Sequence, residues 1–285
     1  MRRITLIAAT RGSALAIAQT QQVIAALDRQ GIECRELIVR TEGDTDRKTP
    51  LVKMGGRGVF VSAAEDAVLE GRADIAVHSA KDMPSRLRPQ LCIAAALKRA
   101  DPRDILVTRK GYKLGPGDTV GTGSPRRTSQ LGGGYRYAPL RGNIETRLAA
   151  VEEGRCCALV TAAAAIGRLG LFDDADFCAR FDVRFLSPEE MVPAAGQGII
   201  AVECLSSSPL RELLGKISDS DTYACLQAER AFMAEMNAGC HESAGAYAQI
   251  REGHVHIRGY WRGKCGRAEA AEPEEAGRKL ARVLR

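Results

Sequence analysis

The sequence predicts an α/β chain that closes with a smaller α+β unit, and three observations predict it. Short apolar runs alternate with alanine-rich helical patterns through the first two-thirds of the chain, the rhythm of sheets covered by helices. From Pro209 onward that rhythm gives way to two helices, two strands and a charged final helix. The length of 285 residues suits roughly two to three domains, and 45% hydrophobic with 27% charged residues is a globular composition.

Taken in order, Arg3 to Ala9 reads as a strand, and Ser13 caps a helix running to about Gln30. Glu33 to Arg40 is a second strand, Val61 to Glu70 a helix stopped at Gly71, and ADIAVHS a buried strand. Such βαβ units predict a mostly parallel sheet. A second unit begins after Asp101-Pro102, with strands at Ile105–Thr108, Thr119–Gly121 and Ala158–Thr161 and helices after Ser124 and Asn143. In the latter helix Ile144, Leu148 and Val151 form one apolar stripe, and Gly154 ends it. Val192 to Cys204 reads as a turn and then a strand, the final unit has strands around Tyr247 and Ile257, and AEAAEPEEAGRK is a polar, exposed stretch. Thr41 to Phe60 is a long glycine-rich polar segment, either a lid over a cleft or a plain loop.

Composition excludes several classes. No uncharged apolar run reaches the roughly 18 residues of a membrane span, and MRRITLIAAT lacks a cleavage-site pattern, so a cytoplasmic chain is expected. Nine cysteines are an odd number with no disulfide framework in their spacing, which fits reduced thiols. The spacing of His241, His254, His256 and Cys265 matches no zinc pattern, so no metal is expected. A net charge of +6 points to anionic partners, yet no basic stripe interleaved with aromatics supports a nucleic acid.

The arginines carry more information by position than by number. Ser124-Pro125 is a good helix start, but Arg126 and Arg127 in its first turn oppose the helix dipole. That makes sense if an anion binds there; the bland reading is a solvated surface pair. Arg11, Arg141, Arg147 and Arg168 likewise fall near strand ends or the helix starts that follow, where open α/β sheets place their ligand crevices. Several arginines at one crevice suit a ligand with several carboxylates or phosphates. Asp82 follows the strand ADIAVHS, beside Ser79 and Lys81. An aspartate near a proline is often only a turn former, but this one stands at a sheet mouth among cations. Cys240 lies in a loop after a long helix, with Gly239 leaving room at the thiol.

Nine segments in order, ATRGSALA (9–16), KMGGRGVF (53–60), GRADIAVHSAKDMP (71–84), DPRD (101–104), GTGSPRRTSQL (121–131), LRGNIETRL (140–148), GRLGL (167–171), VPAAGQGIIAVEC (192–204) and AERAFMAEMNAGC (228–240), resemble the porphobilinogen deaminase family across nearly the whole chain. The resemblance implies two periplasmic-binding-protein-like α/β domains plus a small α+β domain: residues 1–98 with 193–212, then 99–192, then 213–285. It implies that Cys240 carries a dipyrromethane cofactor through a thioether and that Asp82 is the catalytic acid–base group. Lys81, Ser79, Arg126, Arg127, Thr122 and Ser124 would hold that cofactor, and Arg11, Arg141, Arg147 and Arg168 the acetate and propionate groups of the substrate. The implied activity is deamination of four porphobilinogen molecules and their polymerisation into hydroxymethylbilane, by a cytoplasmic monomer without membrane or nucleic-acid partners. A carboxylic acid suits that chemistry, because it can protonate a leaving amine and then stabilise cationic pyrroles. The alternative is a non-enzymatic two-domain binder of a small polyanion. The segment around the cysteine departs from the family, with Ala238-Gly239-Cys240-His-Glu-Ser where Gly-Gly-Cys and an apolar run are usual.

Overall fold

A computed structural model of the chain describes residues 5–40, 61–239 and 242–285. Its first sheet has the order β2-β1-β3-β10-β4, from strands β1 (Thr5–Arg11), β2 (Glu33–Val39), β3 (Ile75–Ser79), β4 (Leu91–Ala96) and β10 (Ile200–Leu205). Helix α1 (Ala14–Asp28) starts where Ser13 Oγ accepts from the Ala16 amide, as its sequence position predicts. It packs Val23 and Leu27 on Leu6, Ala8, Ile75, Val77 and Val202. Helix α2 (Ser62–Leu69) covers the other face through Ala64, Ala67 and Val68 against Ala9 and Ala76. Alanines fully buried at these positions let helix and sheet approach closely, and each buried larger side chain contributes about 1.5–3 kcal/mol.

The second sheet has the order β7-β6-β8-β5-β9, from β5 (Asp104–Arg109), β6 (Thr119–Gly121), β7 (Arg136–Ala138), β8 (Ala158–Ala162) and β9 (Phe181–Leu186). Helices α3 (Pro125–Leu131), α4 (Ile144–Glu152), α5 (Ala163–Arg168) and α6 (Ala175–Arg180) surround it. Asn143 caps α4 by accepting from the Thr146 amide at 2.9 Å, and the predicted stripe Ile144, Leu148, Val151 is buried on Ile105, Leu159 and Ile166. Leu15 of α1 packs against this same core.

In both sheets four of the five strands run in one direction, as the mostly parallel reading expects, and one strand is reversed. In the first, β10 runs antiparallel to β3 and β4; in the second, β5 runs antiparallel to β8 and β9. The reason lies in the path of the chain. It leaves the first sheet after β4 and enters the second at β5, then leaves after β9 and returns at β10, so each reversed strand is the one arriving from the other sheet.

After α7 (Leu210–Gly215), the long helix α8 (Ser220–Glu235) and the last helix α9 (Pro273–Leu284) pack on a third sheet. That sheet has three strands rather than the predicted two: β11 (Ala244–Arg251), β12 (His254–Trp261) and β13 (Lys264–Ala270). No strand is expected at KCGRAEA, of which only the last alanine is buried, yet it is an edge strand paired along its whole length with β12. The stretch AEAAEPEEAGRK, expected to be exposed, closes that strand and opens α9, where Ala276 and Gly277 are buried. The first strand also extends further than predicted, so that Arg11 is its last residue rather than a residue beyond it.

A candidate active site at the mouths of two sheets

Strand β3 ends at Ser79, and residues 80–82 form a single 3₁₀ turn that carries Lys81 and Asp82 past the carboxyl end of the sheet. The turn is fixed by main-chain bonds: the Ala80 amide donates to Ile199 O at 3.0 Å and the Met83 amide to Ala80 O at 3.2 Å. Ser79 is held from α1, whose buried Gln19 donates through Nε2 to Ser79 Oγ at 2.8 Å. Gly196, with φ +73°, lies across this turn; a Cβ there would come within 2.9 Å of the Ala80 carbonyl carbon. Gly198, with φ +84°, passes as tightly over Ala100 O. The AAGQG run is therefore the close crossing of one segment over another, and Gln197 Oε1 within it lies 3.5 Å from Lys81 Nζ.

From the second sheet, the first turn of α3 supplies Arg126 and Arg127. Neither is a solvated surface pair: they are 4% and 8% exposed. An anion does meet them, but it belongs to the chain itself. Asp104, at the start of β5 and fully buried, accepts from Arg126 Nη1 at 2.7 Å and from Arg127 Nε at 3.0 Å. Arg126 also donates to Val192 O at 2.8 Å and Arg127 to Val160 O at 3.0 Å. Burial alone would raise the Asp104 carboxyl, but the two guanidinium groups hold it well below the usual carboxylate range.

These groups act on one another electrostatically as one cluster. Loss of solvent pushes the Lys81 ammonium down to about 8, reinforced by Arg127 and opposed by Asp82 and Asp104. Burial, then Arg127, lowers Arg147, with Asp82 opposing. Burial lowers Arg168 to about 10, and its Nη2 donates to Gly198 O at 2.7 Å. Ser79, Lys81, Gln19 and Arg168 line a common small cavity with Gly196 and Gly198. Among the described residues, two buried guanidinium nitrogens, Arg168 Nε and Arg141 Nη2, have no hydrogen-bond partner, a costly arrangement that an anionic ligand would relieve.

The structure thus brings together Ser79, Lys81, Asp82, Arg126, Arg127, Arg147 and Arg168. Arg11 ends β1, the strand beside β3, while Arg141 precedes α4, its Nη2 buried and without a hydrogen-bond partner among the described residues. Thr122 is buried and its Oγ1 accepts from the Ser124 amide at 3.2 Å, shaping the entry to α3. Cys240, His241 and the 41–60 segment lie outside the described residues. The residues flanking Cys240 are placed: Ser243 Oγ donates to Pro125 O at 3.3 Å, beside Arg126. Asp104, Gln19 and Gln197 are the contributors that sequence reasoning missed. Asp104 had a signal, a carboxylate opening the buried run DILV with two uncompensated arginines downstream.

Residues 6–210 match the sequence profile of the porphobilinogen deaminase dipyromethane cofactor binding domain, and residues 223–285 that of the porphobilinogen deaminase C-terminal domain. Similar curated proteins include the porphobilinogen deaminase of Mycobacterium avium, 43% identical over 85% of this chain and 76% of that protein. The probable porphobilinogen deaminase of Hyperthermus butylicus is 42% identical over 96% and 89%, and the porphobilinogen deaminase of Geobacillus kaustophilus 38% identical over 98% and 93%. Among solved structures, the second substrate binding domain of a putative amino acid ABC transporter from Streptococcus pneumoniae aligns with a TM-score of 0.47 at 16% identity, covering 82% of this chain and 98% of that one. By its two matched domains and its extended identity to these enzymes, the chain belongs to the porphobilinogen deaminase family.

Proposed function

We propose that this protein deaminates four porphobilinogen molecules and polymerises them into hydroxymethylbilane on a dipyrromethane primer attached to Cys240. The observation that carries the reading is an excess of positive charge, largely withdrawn from solvent, around two carboxylates. Among the described residues Lys81, Arg127 and Arg147 act electrostatically with Asp82, and Lys81, Arg126 and Arg127 with Asp104, and Asp104 is already engaged by two of the arginines.

Such a cluster fits a group bearing several carboxylates, and the orphaned nitrogens of Arg141 and Arg168 point the same way. Lys81, Ser79, Arg126, Arg127, Thr122 and Ser124 would hold the dipyrromethane, and Arg11, Arg141, Arg147 and Arg168 the acids of incoming substrate. When bound, the dipyrromethane supplies the nucleophilic pyrrole end from which the product grows. Asp82 would give a proton to the departing amine and, once ionised, balance positive charge on the substrate pyrrole. The turn that bears Asp82 is held at Ala80 by Ile199 O and crossed closely by Gly196, which fixes the main chain from which the carboxyl projects. Ser243, which follows the Cys240 segment in the sequence, donates to Pro125 O beside Arg126.

The same reading takes residues 1–98 with 193–212, 99–192 and 213–285 as the three domains, and the protein as a cytoplasmic monomer. No helix among the described residues is long and apolar enough to cross a membrane. Intact mass of the purified protein tests the proposal: an adduct of two pyrrole units on Cys240 is expected, and holoprotein with an unmodified Cys240 thiol would overturn it.

A further inference from the structure

Two of the nine cysteines face one another. Cys92 on β4 and Cys204 on β10 are register partners in an antiparallel pair. Directly opposed residues on such strands have Cα atoms roughly 4.5–5.5 Å apart with side chains on the same face, inside the Cα range of about 4.4–6.8 Å that a disulfide spans. Both side chains pack into the same apolar cluster, and both are free thiols.

Their surroundings differ in a way that assigns roles. Cys204 is fully buried, and burial followed by the nearness of Cys92 pushes its thiol up to about 12. Cys92 is only half-buried, lies on the edge strand of its sheet, and lines an open cavity of about 460 Å³ with Arg211 and Arg230. An external reagent can reach Cys92 and not Cys204.

We propose that Cys92 and Cys204 form a modification site, a reversible intramolecular disulfide made by exchange with small-molecule disulfides. The Cys92 thiolate attacks one sulfur of the reagent, forming a mixed disulfide and expelling one small thiolate. Cys204 then gives up its proton to that thiolate and attacks the Cys92 sulfur, and the second small thiolate leaves and takes the proton that Cys92 released to solvent. The protein loses two electrons and two protons, and one small disulfide becomes two thiols. The bond joins the strand by which the chain leaves the first sheet to the strand by which it returns, closing a loop that contains the whole second sheet.

The test treats the purified protein with oxidised glutathione under native conditions, then unfolds it in N-ethylmaleimide and maps the peptides without reduction. Expected are a peptide joining Cys92 to Cys204, loss of maleimide at both positions, and recovery of both labels after dithiothreitol. In Cys204→Ala, glutathione should stay on Cys92; in Cys92→Ala, Cys204 should remain unmodified, while the exposed Cys178 and Cys265 report that the reagent was active. Glutathione retained on Cys92 of the unaltered protein, maleimide on both cysteines, or a link from Cys92 to another cysteine would each overturn the proposal.

Discussion

Glu229 of α8 clasps Arg99 of the segment joining the first two sheets, with Oε1 2.6 Å from Nη1 and Oε2 3.3 Å from Nη2. The same carboxylate accepts from the Gly196 amide at 2.6 Å and the Ala248 amide at 2.7 Å. One fully buried side chain therefore joins both crossing segments to the third sheet. Glu229→Gln should leave Arg99 without a counter-charge and cost about 3–5 kcal/mol of stability, read from urea unfolding. A loss below about 1 kcal/mol would show that main-chain bonds suffice there.

Asp104 plays a comparable part in the second sheet, between two buried guanidinium groups. Asp104→Asn keeps the shape but leaves two cations facing a neutral amide. A loss of about 3–5 kcal/mol is expected in the same unfolding measurement, and an unchanged midpoint would mean that Val192 O and Val160 O hold the arginines unaided.

For Asp82 the expectation concerns turnover. Asp82→Asn should reduce the rate of porphobilinogen consumption by about 10²–10⁴-fold, the usual worth of a positioned acid–base group, while intact mass still shows the adduct on Cys240. Near-normal turnover would remove Asp82 from its role.

Lys81 makes stability depend on pH in a defined window. Its folded value of about 8 lies below its ordinary value of 10.5, so between these the unfolded chain binds more protons and stability rises with pH. The cost of burying this ammonium is fully present below about pH 8 and is relieved between 8 and 10.5. Lys81→Met should flatten that rise when unfolding midpoints of protein lacking the cofactor are compared at either end of the window. Parallel curves for the two proteins would refute the assignment.

Gly196→Ala places a methyl group against Ala80 and forces an alanine into a positive φ. A loss of about 1–3 kcal/mol is expected, visible as a lower thermal midpoint, together with weakened turnover because the turn bearing Asp82 would shift.

Much of this architecture was legible in the sequence where local signals were strong. Ser13 and Asn143 both cap helices as read, and Thr119–Gly121 is a strand with the bounds expected. What failed was long-range. The reversed direction of β5 and β10 depends on the chain passing between sheets, which no window of residues records. Strand β13 was hidden because an edge strand needs few apolar side chains. In the candidate site, Arg11 and Arg141 were not brought into the set, whereas the gathering of Asp82 and Lys81 with Arg126, Arg127, Arg147 and Arg168 followed from their positions near strand ends and helix starts. The partner of Arg126 and Arg127 did not, because Asp104 lies twenty-two residues away and meets them only once the sheet has formed.

The adjacency of β4 and β10 has a consequence for how such a protein can be cut and rejoined. Ala96 and Ala201 are register partners, so everything between them emerges from and returns to a single point on the first sheet. The strand order β2-β1-β3-β10-β4 would survive a tight hairpin turn joining those two positions, but the cut would remove Arg99 and Gly196, the partners of buried Glu229.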